Sequence, residues 1–143
     1  MAQELEIRAH HVANLQFVAE TASGHSMILD THDYNTGASP MEMLLVSLAG
    51  CPGISVISIL QKKQQNVTHY EVLVQGKRAE THPQVFTEIT VEHILTGHNI
   101  QPVAVERAIE LAETRYCTVS VMLSKVVQLK HSYRISENED ERK

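Results

Sequence analysis

The sequence contains no tryptophan, and aromatic residues make up only 4% of its 143 positions. A hydrophobic core must therefore be built mainly from aliphatic side chains and methionine, and the hydrophobic content of 43% supplies them. This content, together with 20% charged residues, is typical of a folded domain and too apolar for a disordered chain. The length fits one ordinary domain, and we expect residues 1–143 to form it.

Positive charge is in deficit, because twelve Lys and Arg residues against seventeen Asp and Glu residues give a net charge of −5. Proteins that bind nucleic acid usually carry a basic patch, so we expect no nucleic-acid partner. Serine, glycine and proline interrupt the most apolar stretch, 41–60, and no unbroken run of 18 apolar residues occurs. The N-terminus also lacks the pattern of a signal peptide. These absences predict a cytoplasmic protein with no membrane partner.

Cysteine is scarce, since Cys51 and Cys117 are the only two in the sequence. Two cysteines are too few for the disulfide scaffold of a small secreted domain, and the absence of a CxxC motif excludes a thioredoxin-type dithiol. The nine histidines match neither the HExxH pattern nor a Cys/His zinc spacing, so we expect no metal and no cofactor. His131 lies on the apolar phase of the last predicted strand, and we interpret it as a half-buried histidine rather than a catalyst.

Two predicted helices are separated by strands. Ser39 is placed to cap a helix that starts at Pro40 and continues to about Lys63. This helix is nearly apolar on all sides, which is typical of a buried helix. A second helix, which begins at Pro102, carries one apolar stripe.

Alternation of apolar and polar residues predicts six strands. Three lie before residue 30, two form a hairpin over about 70–92, and the last runs over 127–135. The resulting order, βββ-α-ββ-α-β, describes an α+β domain with strands packed on two buried helices. Residues 137–143 are predicted to be a disordered, charged tail.

Cys51 lies inside the first predicted helix, between Gly50 and Pro52. Proline has no amide hydrogen and disfavours helical geometry at the preceding residue, which predicts a kink or a new helix start here. Unpaired amide hydrogens at such a start would favour the thiolate, so Cys51 is the candidate for the more reactive thiol. The alternative for either cysteine is that of a small buried apolar side chain.

Cys117 follows Tyr116 at a predicted junction between two helical segments. It can meet Cys51 only if the fold brings the two together. The redox arrangement that remains for such a pair is a nucleophile with a distant resolving thiol.

Two blocks of the sequence carry a resemblance to a known family. In the first, Ala38–Cys51 followed by Ile54–Val56, the cysteine lies eleven residues after Pro40. The second, Ala112–Ser120, contains Cys117. Both blocks resemble the cysteine segments of the OsmC/Ohr family of osmotically inducible and organic-hydroperoxide-resistance proteins. The predicted order of elements is also similar to that of the family over residues 5–135.

The resemblance implies an intertwined homodimer with the long helices at its centre. It also implies a thiol peroxidase that takes part in the oxidative stress response. In that reaction Cys51 attacks the O–O bond of a small organic hydroperoxide and becomes a sulfenic acid, and Cys117 condenses with it to a disulfide. An external dithiol reductant then restores both thiols. The expected catalytic residues are therefore Cys51 and Cys117.

One part of the family's pattern is different here. In its peroxidatic members a glutamate directly after the proline pairs with an arginine from the N-terminal strands, and this arginine stabilises the thiolate. Met41 stands at that position, Glu42 is shifted by about 100° around the helix, and 15–21 contain no arginine. The chain therefore resembles a divergent OsmC-like branch, in which Glu42 and Arg115 are the candidates for supporting roles.

This difference keeps a second function class open. A dimer of the same fold could bind a small apolar ligand, or sense oxidation, with little peroxidase activity. The missing Arg/Glu pair favours that alternative, whereas the pair of cysteines favours the peroxidase.

Overall fold

The structure is a computed structural model that describes residues 2–138. Contacts divide the chain into two compact units, Met1–Leu44 and Leu45–Lys143. Three strands are followed by a long helix, two strands, a group of short helical segments and a final strand. This order confirms the predicted α+β class. The predicted second helix is divided into three segments.

The first unit contains an antiparallel sheet of three strands, β1 (Ile7–Ala13), β2 (Gln16–Thr21) and β3 (Ser26–Leu29), in the order β1-β2-β3. The turn between β1 and β2 contains Asn14 with a φ of 51°. Asparagine tolerates this left-handed conformation better than most residues do. These three strands lie where the alternation predicts them.

Helix α1 (Pro40–Lys62) begins with a capping box. The Ser39 N–H donates to Glu42 Oε1 at 2.9 Å, and the Glu42 N–H donates to Ser39 Oγ at 3.2 Å. The two bonds satisfy orphan amide hydrogens of the first turn, and Pro40 occupies a position where no amide hydrogen is needed. The predicted cap at Ser39 and start at Pro40 are therefore confirmed.

The expected new helix start near Cys51 is wrong, because α1 continues through Pro52 without a break. Proline in a helix interior costs about 3 kcal/mol. Packing offsets this cost, since Pro52 and Gly53 are buried, and Gly53 lies so close to the strand that follows α1 that an added Cβ would be 3.3 Å from Val72 Cγ2. Cys51 therefore lies in the middle of a helix rather than at an N-terminus.

The second unit contains a sheet in the order β4-β5-β6, formed by β4 (Asn66–Arg78), β5 (Phe86–His98) and β6 (Gln128–Glu137). β4 and β5 are an antiparallel hairpin, and β6 runs parallel to β5. The hairpin is longer than the predicted 70–92, and Gly76 remains in register within it, opposite Ile89.

The end of the chain also differs from the sequence prediction. Glu137 is the last residue of β6 rather than the first residue of a disordered tail. The Asn138 N–H donates to the Gly97 carbonyl at 2.7 Å and continues the attachment to β5. Residues 139–143 lie outside the described residues.

The core of the second unit lies between its sheet and its helices. Alternate residues of β5 are buried, and they pack against buried side chains from α1 and from α2 (Pro102–Leu111). One cluster contains Val56, Leu60 and Leu95 together with Val105. This is the predicted packing of strands on two helices.

Helix α1 is long and apolar enough to cross a membrane, by length and composition alone, and 28% of its most apolar 18-residue window is buried. The lack of an unbroken apolar run therefore does not exclude a membrane-spanning helix, because interspersed serine and glycine lower the mean hydropathy only slightly. A core helix of a globular protein meets the same criterion. Val46 is 56% exposed and Ile54 is 71% exposed, which is unusual for large apolar side chains of a core helix.

We predict that a second copy of the chain covers α1. The Ile54→Glu variant should then shift the protein from dimer to monomer in sedimentation experiments at micromolar concentration, because the substitution places a charge in an apolar interface. The wild-type unfolding midpoint should also rise with protein concentration. Val126→Glu is the matched control, since Val126 is 81% exposed and lies outside α1. A wild type that sediments as a folded monomer would contradict the prediction.

Candidate functional site

Cys117 lies at an irregularity between two helices. After α2 the chain forms a π-helix, Ala112–Tyr116, and then the short helix α3, Thr118–Leu123. The Cys117 N–H donates to the Ala112 carbonyl at 2.7 Å, which closes the wide turn. The backbone at Cys117 is extended and ends the helical run. Single π turns of this kind often occur at functional sites.

The Cys117 thiol is fully buried and caps α3. Its sulfur accepts a hydrogen bond from the Ser120 N–H at 3.2 Å. Burial raises the pKa of Cys117, and the neighbouring Cys51 raises it further, whereas the Ser120 N–H that donates to the sulfur lowers it. The balance keeps Cys117 protonated at neutral pH, with polar groups next to the sulfur that favour the thiolate.

Cys51 and Cys117 are brought together. Their side chains are hydrogen-bonded to each other, and neither is in a disulfide. Cys51 comes from the middle of α1 and is half-buried, whereas Cys117 is buried at the N-terminus of α3. The helix terminus that the sequence predicts for Cys51 therefore belongs to Cys117. Two thiols in contact can interconvert with a disulfide once an oxidant is available.

Glu42 and Arg115, the candidates for supporting roles, make no hydrogen bond to either cysteine within residues 2–138. The Glu42 carboxylate accepts a hydrogen bond from the Ser39 N–H, which is the largest cause of the lowered pKa of Glu42. The Ser39 hydroxyl lowers this pKa further. Arg115 lies in the π-helix and is exposed, and within residues 2–138 its side chain makes no hydrogen bond or ion pair.

A line of four polar side chains crosses the sheet of the second unit. Tyr70 Oη lies 2.7 Å from His93 Nδ1, and His93 Nε2 lies 3.3 Å from His131 Nδ1. His131 Nε2 lies 3.4 Å from Glu113 Oε2 of the π-helix. We call these four residues the Tyr-His-His-Glu line. It connects β4, β5 and β6 to the turn that holds Cys117.

Burial keeps Tyr70, His93 and His131 neutral. It lowers the pKa of His93 from 6.5 to about 4, with a further contribution from the nearby charge of His131. Burial also lowers the pKa of His131, an effect that the Glu113 carboxylate opposes, and it raises the pKa of Tyr70. Tyr70 therefore keeps its proton and donates to His93 Nδ1. The neutral ring of His93 then donates from Nε2 to His131 Nδ1, so His131 carries its proton on Nε2.

The sequence interpretation missed this line. His93, for which the sequence predicts no role, is wholly buried because it continues the apolar phase of Ile89 and Val91 on β5. That phase is readable from the sequence. His131 is more deeply buried than expected, with 3% of its side chain exposed.

A cavity of about 290 Å³ is lined by Ser120, whose N–H contacts the Cys117 sulfur. Glu113, Ser120 and His131 contribute polar groups to its wall, together with Ser124. Ser120 Oγ and His131 Nε2 are buried and have no hydrogen-bond partner among residues 2–138. Within residues 2–138, no group of three or more His, Cys, Asp or Glu side chains is arranged to hold a metal ion.

Comparisons with known proteins agree with this architecture. The family model for OsmC-like protein matches residues 31–132. The chain is similar to Protein YhfA of Escherichia coli (strain K12), with 40% identity over 131 residues that cover 92% of this chain and 98% of that protein. A solved hypothetical protein from Aquifex aeolicus VF5 is 30% identical with a TM-score of 0.87, over 96% of this chain and all of the other.

A more distant solved structure has the same fold. The organic hydroperoxide resistance protein OsmC from Legionella pneumophila is 16% identical, with a TM-score of 0.67. The alignment covers 93% of this chain and 98% of that one. The resemblance noted in the cysteine segments therefore extends to the whole architecture.

We predict that the protein loses stability as the pH falls from about 6.5 to about 4. In this window an unfolded histidine binds a proton that folded His93 does not bind, so acidification favours unfolding. The full effect is about 3 kcal/mol in the free energy of unfolding. Denaturant unfolding at a series of pH values should show it, and His93→Gln should reduce the slope. His69→Gln, at an exposed position of β4, is the control; an unchanged slope in His93→Gln would contradict the prediction.

Proposed function

This chain belongs to the OsmC-like family, and we propose that it is a thiol-dependent peroxidase that reduces organic hydroperoxides. The observation that carries the proposal is the contact between Cys51 and Cys117. A nucleophilic thiol and a resolving thiol must meet to close a catalytic cycle through a disulfide. The two cysteines come from distant parts of the chain, so their contact depends on the fold.

The proposed reaction begins at Cys51. Its thiolate attacks one oxygen of the hydroperoxide, the O–O bond breaks, and the other oxygen leaves as an alkoxide that takes a proton to become an alcohol. Cys51 is left as a sulfenic acid. Cys117 then forms a disulfide with it and releases water, and an external dithiol returns both residues to thiols.

The different surroundings of the two thiols support this assignment. Cys51 is half-buried and Cys117 is wholly buried, so a substrate reaches Cys51 more easily. Burial also raises the pKa of Cys117. A thiol that stays protonated until a sulfenic acid forms beside it is suited to the second step rather than the first.

The substrate class rests on similarity. The Legionella pneumophila protein of the same fold is an organic hydroperoxide resistance protein, and fold alone does not carry an activity from one protein to another. The thiol pair adds the chemistry that such an activity requires. The proposal includes a homodimer and a cytoplasmic setting, where a dithiol reductant is available.

A redox-sensing dimer of the same fold is the second candidate function. The position of Glu42 favours it, because its carboxylate is engaged in the helix cap and Met41 occupies the position after Pro40. A sensor would form the same disulfide but turn over slowly. The rate with hydroperoxide separates the two functions.

Cysteine variants test the proposed cycle. We predict that Cys51→Ser abolishes the consumption of cumene hydroperoxide, because the nucleophile is lost. In Cys117→Ser, one equivalent of hydroperoxide should leave a Cys51 sulfenic acid that persists, since the resolving thiol is missing. Mass spectrometry of the intact protein distinguishes the sulfenic acid from the disulfide of the wild type. Hydrogen peroxide in place of cumene hydroperoxide should react more slowly with the wild type.

Two results would contradict the proposal. The first is oxidation of Cys117 while Cys51 remains a thiol. The second is an equal consumption of hydroperoxide by the wild type and Cys51→Ser.

We predict a slow peroxidase that a restored Arg/Glu pair accelerates. Loss of a charge-assisted contact costs about 1.5–3 kcal/mol, or about one to two orders of magnitude in rate if the contact acts fully in the transition state. Leu15 and Pro40 line the same cavity, so Leu15→Arg combined with Met41→Glu places the pair near the start of α1. The second-order rate constant with cumene hydroperoxide should rise.

Leu15→Arg combined with Met41→Gln is the matched control, because it keeps the arginine but removes its carboxylate partner. A wild type that is already as fast as efficient thiol peroxidases would contradict the prediction. In that case the activating cation comes from another residue, and Arg115 is the first to examine.

A further inference from the structure

Three polar groups around the cavity beside Cys117 have unused hydrogen-bonding capacity. Ser120 is 1% exposed, 3% of the His131 side chain is exposed, and neither Ser120 Oγ nor His131 Nε2 has a hydrogen-bond partner among residues 2–138. The third group is the Glu113 carboxylate, whose side chain is 38% exposed. A buried polar atom without a hydrogen-bond partner destabilises the folded state, so two on one cavity wall indicate that water or a ligand group completes the site.

Ser120 connects the cavity to Cys117, which does not itself line the cavity. Ser120 contacts the Cys117 sulfur through its N–H and also lines the cavity with its hydroxyl. Glu113 lies on the same cavity, and its partial exposure connects it to bulk water. The polar groups therefore follow one another from a buried thiol to an exposed carboxylate.

His131 has a fixed orientation in this arrangement. Its Nδ1 accepts the proton of His93, whose other ring nitrogen accepts from Tyr70, so the Nε2–H of His131 points to Glu113. This neutral N–H lies 3.4 Å from Glu113 Oε2 without completing a hydrogen bond, so it attracts the carboxylate towards the cavity wall and can still take a further partner. His131 is therefore a positioning residue for Glu113.

We propose that this cavity is the proton exit of Cys117, with the Ser120 hydroxyl and cavity water passing the thiol proton to the Glu113 carboxylate. The inference deepens the proposed function, on which it rests, by naming the base for its second step. It gives both unsatisfied polar atoms a role. It also explains why a carboxylate is held next to a buried histidine whose other partner is a second histidine.

The proposed step is balanced in atoms and electrons. The sulfur of Cys117 forms the S–S bond while the S–O bond of the Cys51 sulfenic acid breaks. The thiol proton leaves through Ser120 and water to Glu113, and the departing hydroxide takes a proton from solvent and leaves as water. Cys117 is oxidised, the sulfenic sulfur is reduced, and no further reactant is needed.

A base is required because Cys117 is buried as a thiol. Burial and the neighbouring Cys51 both disfavour its thiolate. The titratable groups that face Glu113 are His131 directly, with His93 and Tyr70 behind it, and the thiol pair across Ser120. Burial lowers the pKa of both histidines and keeps them neutral in the neutral pH range, and Glu113 is the carboxylate of this set.

The test isolates the second step with a disulfide reagent in place of hydroperoxide. Dithionitrobenzoate reacts with Cys51, releases one thionitrobenzoate and leaves a mixed disulfide. Cys117 then attacks the Cys51 sulfur and releases a second thionitrobenzoate, while its proton takes the proposed route. The absorbance of the released anion shows two phases, of which only the second depends on Cys117.

We expect Ser120→Ala and Glu113→Gln to slow the second phase by about 100-fold at neutral pH, in line with the usual contribution of a general base. The second phase in Glu113→Gln should become proportional to the thiolate fraction and rise about tenfold per pH unit. The wild type should vary less with pH because its carboxylate accepts the proton. His131→Asn should shift this pH profile in the same direction as Glu113→Gln.

Two matched controls should keep the wild-type rate and pH profile. Ser124→Ala removes a hydroxyl from the same cavity, but one that donates to the Val121 carbonyl at 2.8 Å. Glu110→Gln removes an exposed carboxylate of α2 that pairs with Arg107.

Three results would overturn the proton route. These are a wild type without a second phase, wild-type kinetics in both Ser120→Ala and Glu113→Gln, or an equal slowing of both phases in these variants. The test does not depend on peroxidase activity, because dithionitrobenzoate is the oxidant. A Cys51 that does not react with hydroperoxide would instead refute the proposed function and leave the proton route standing.

Discussion

The arrangement of the site depends on one backbone hydrogen bond, from the Cys117 N–H to the Ala112 carbonyl. A regular helix would bond the same amide to Glu113, one residue later. The wide turn ends α2, gives Cys117 an extended backbone and lets α3 begin at the next residue. As a result the sulfur accepts the Ser120 N–H, and the turn itself presents Glu113 to His131. One irregular turn therefore positions both the thiol and the carboxylate.

Burial raises some pKa values in this region and lowers others, and in each case it favours the neutral form. It raises the pKa of Cys117 and of Tyr70, and it lowers the pKa of His93 and His131. Each shift disfavours the charged form in a medium of low polarity. A neutral site costs little to bury, but a thiol inside it needs a nearby acceptor before it can react. Glu113, whose side chain is 38% exposed, is the carboxylate at the edge of this site.

Much of the fold could be predicted from the sequence, because periodicity, caps and breakers are local signals. The capping residue Ser39, the start at Pro40 and the six strands all follow from neighbours in the chain. The continuity of α1 through Pro52 could not be predicted in this way. It depends on the packing of Gly53 against Val72, a contact between residues far apart in the sequence.

The site was predictable only in part for the same reason. The spacing of Pro40 and Cys51 marks the first cysteine segment, and the second follows from the block around Cys117. The π turn has no local sequence signal, and the Tyr-His-His-Glu line needs the parallel pairing of β5 with β6, which places Val91 beside His131 and His93 beside Tyr133. Pairing of strands on either side of a helical segment is set by tertiary packing rather than by local sequence.

This chain lacks the Arg/Glu pair that stabilises the thiolate in the peroxidatic proteins it resembles. There a cation acts on the first thiol, whereas here Met41 replaces the carboxylate that would hold the cation, and Glu42 is engaged by Ser39. In the second unit, Ser120 contacts the Cys117 sulfur, and Ser120 and Glu113 line the same cavity. A cation next to Cys51 would speed the attack on a peroxide, and a base next to Cys117 would speed disulfide closure. On the proposed proton route, the placement of Glu113 and Ser120 would favour closure of the disulfide over rapid peroxide attack, which is the balance that a slow peroxidase or a redox sensor would require.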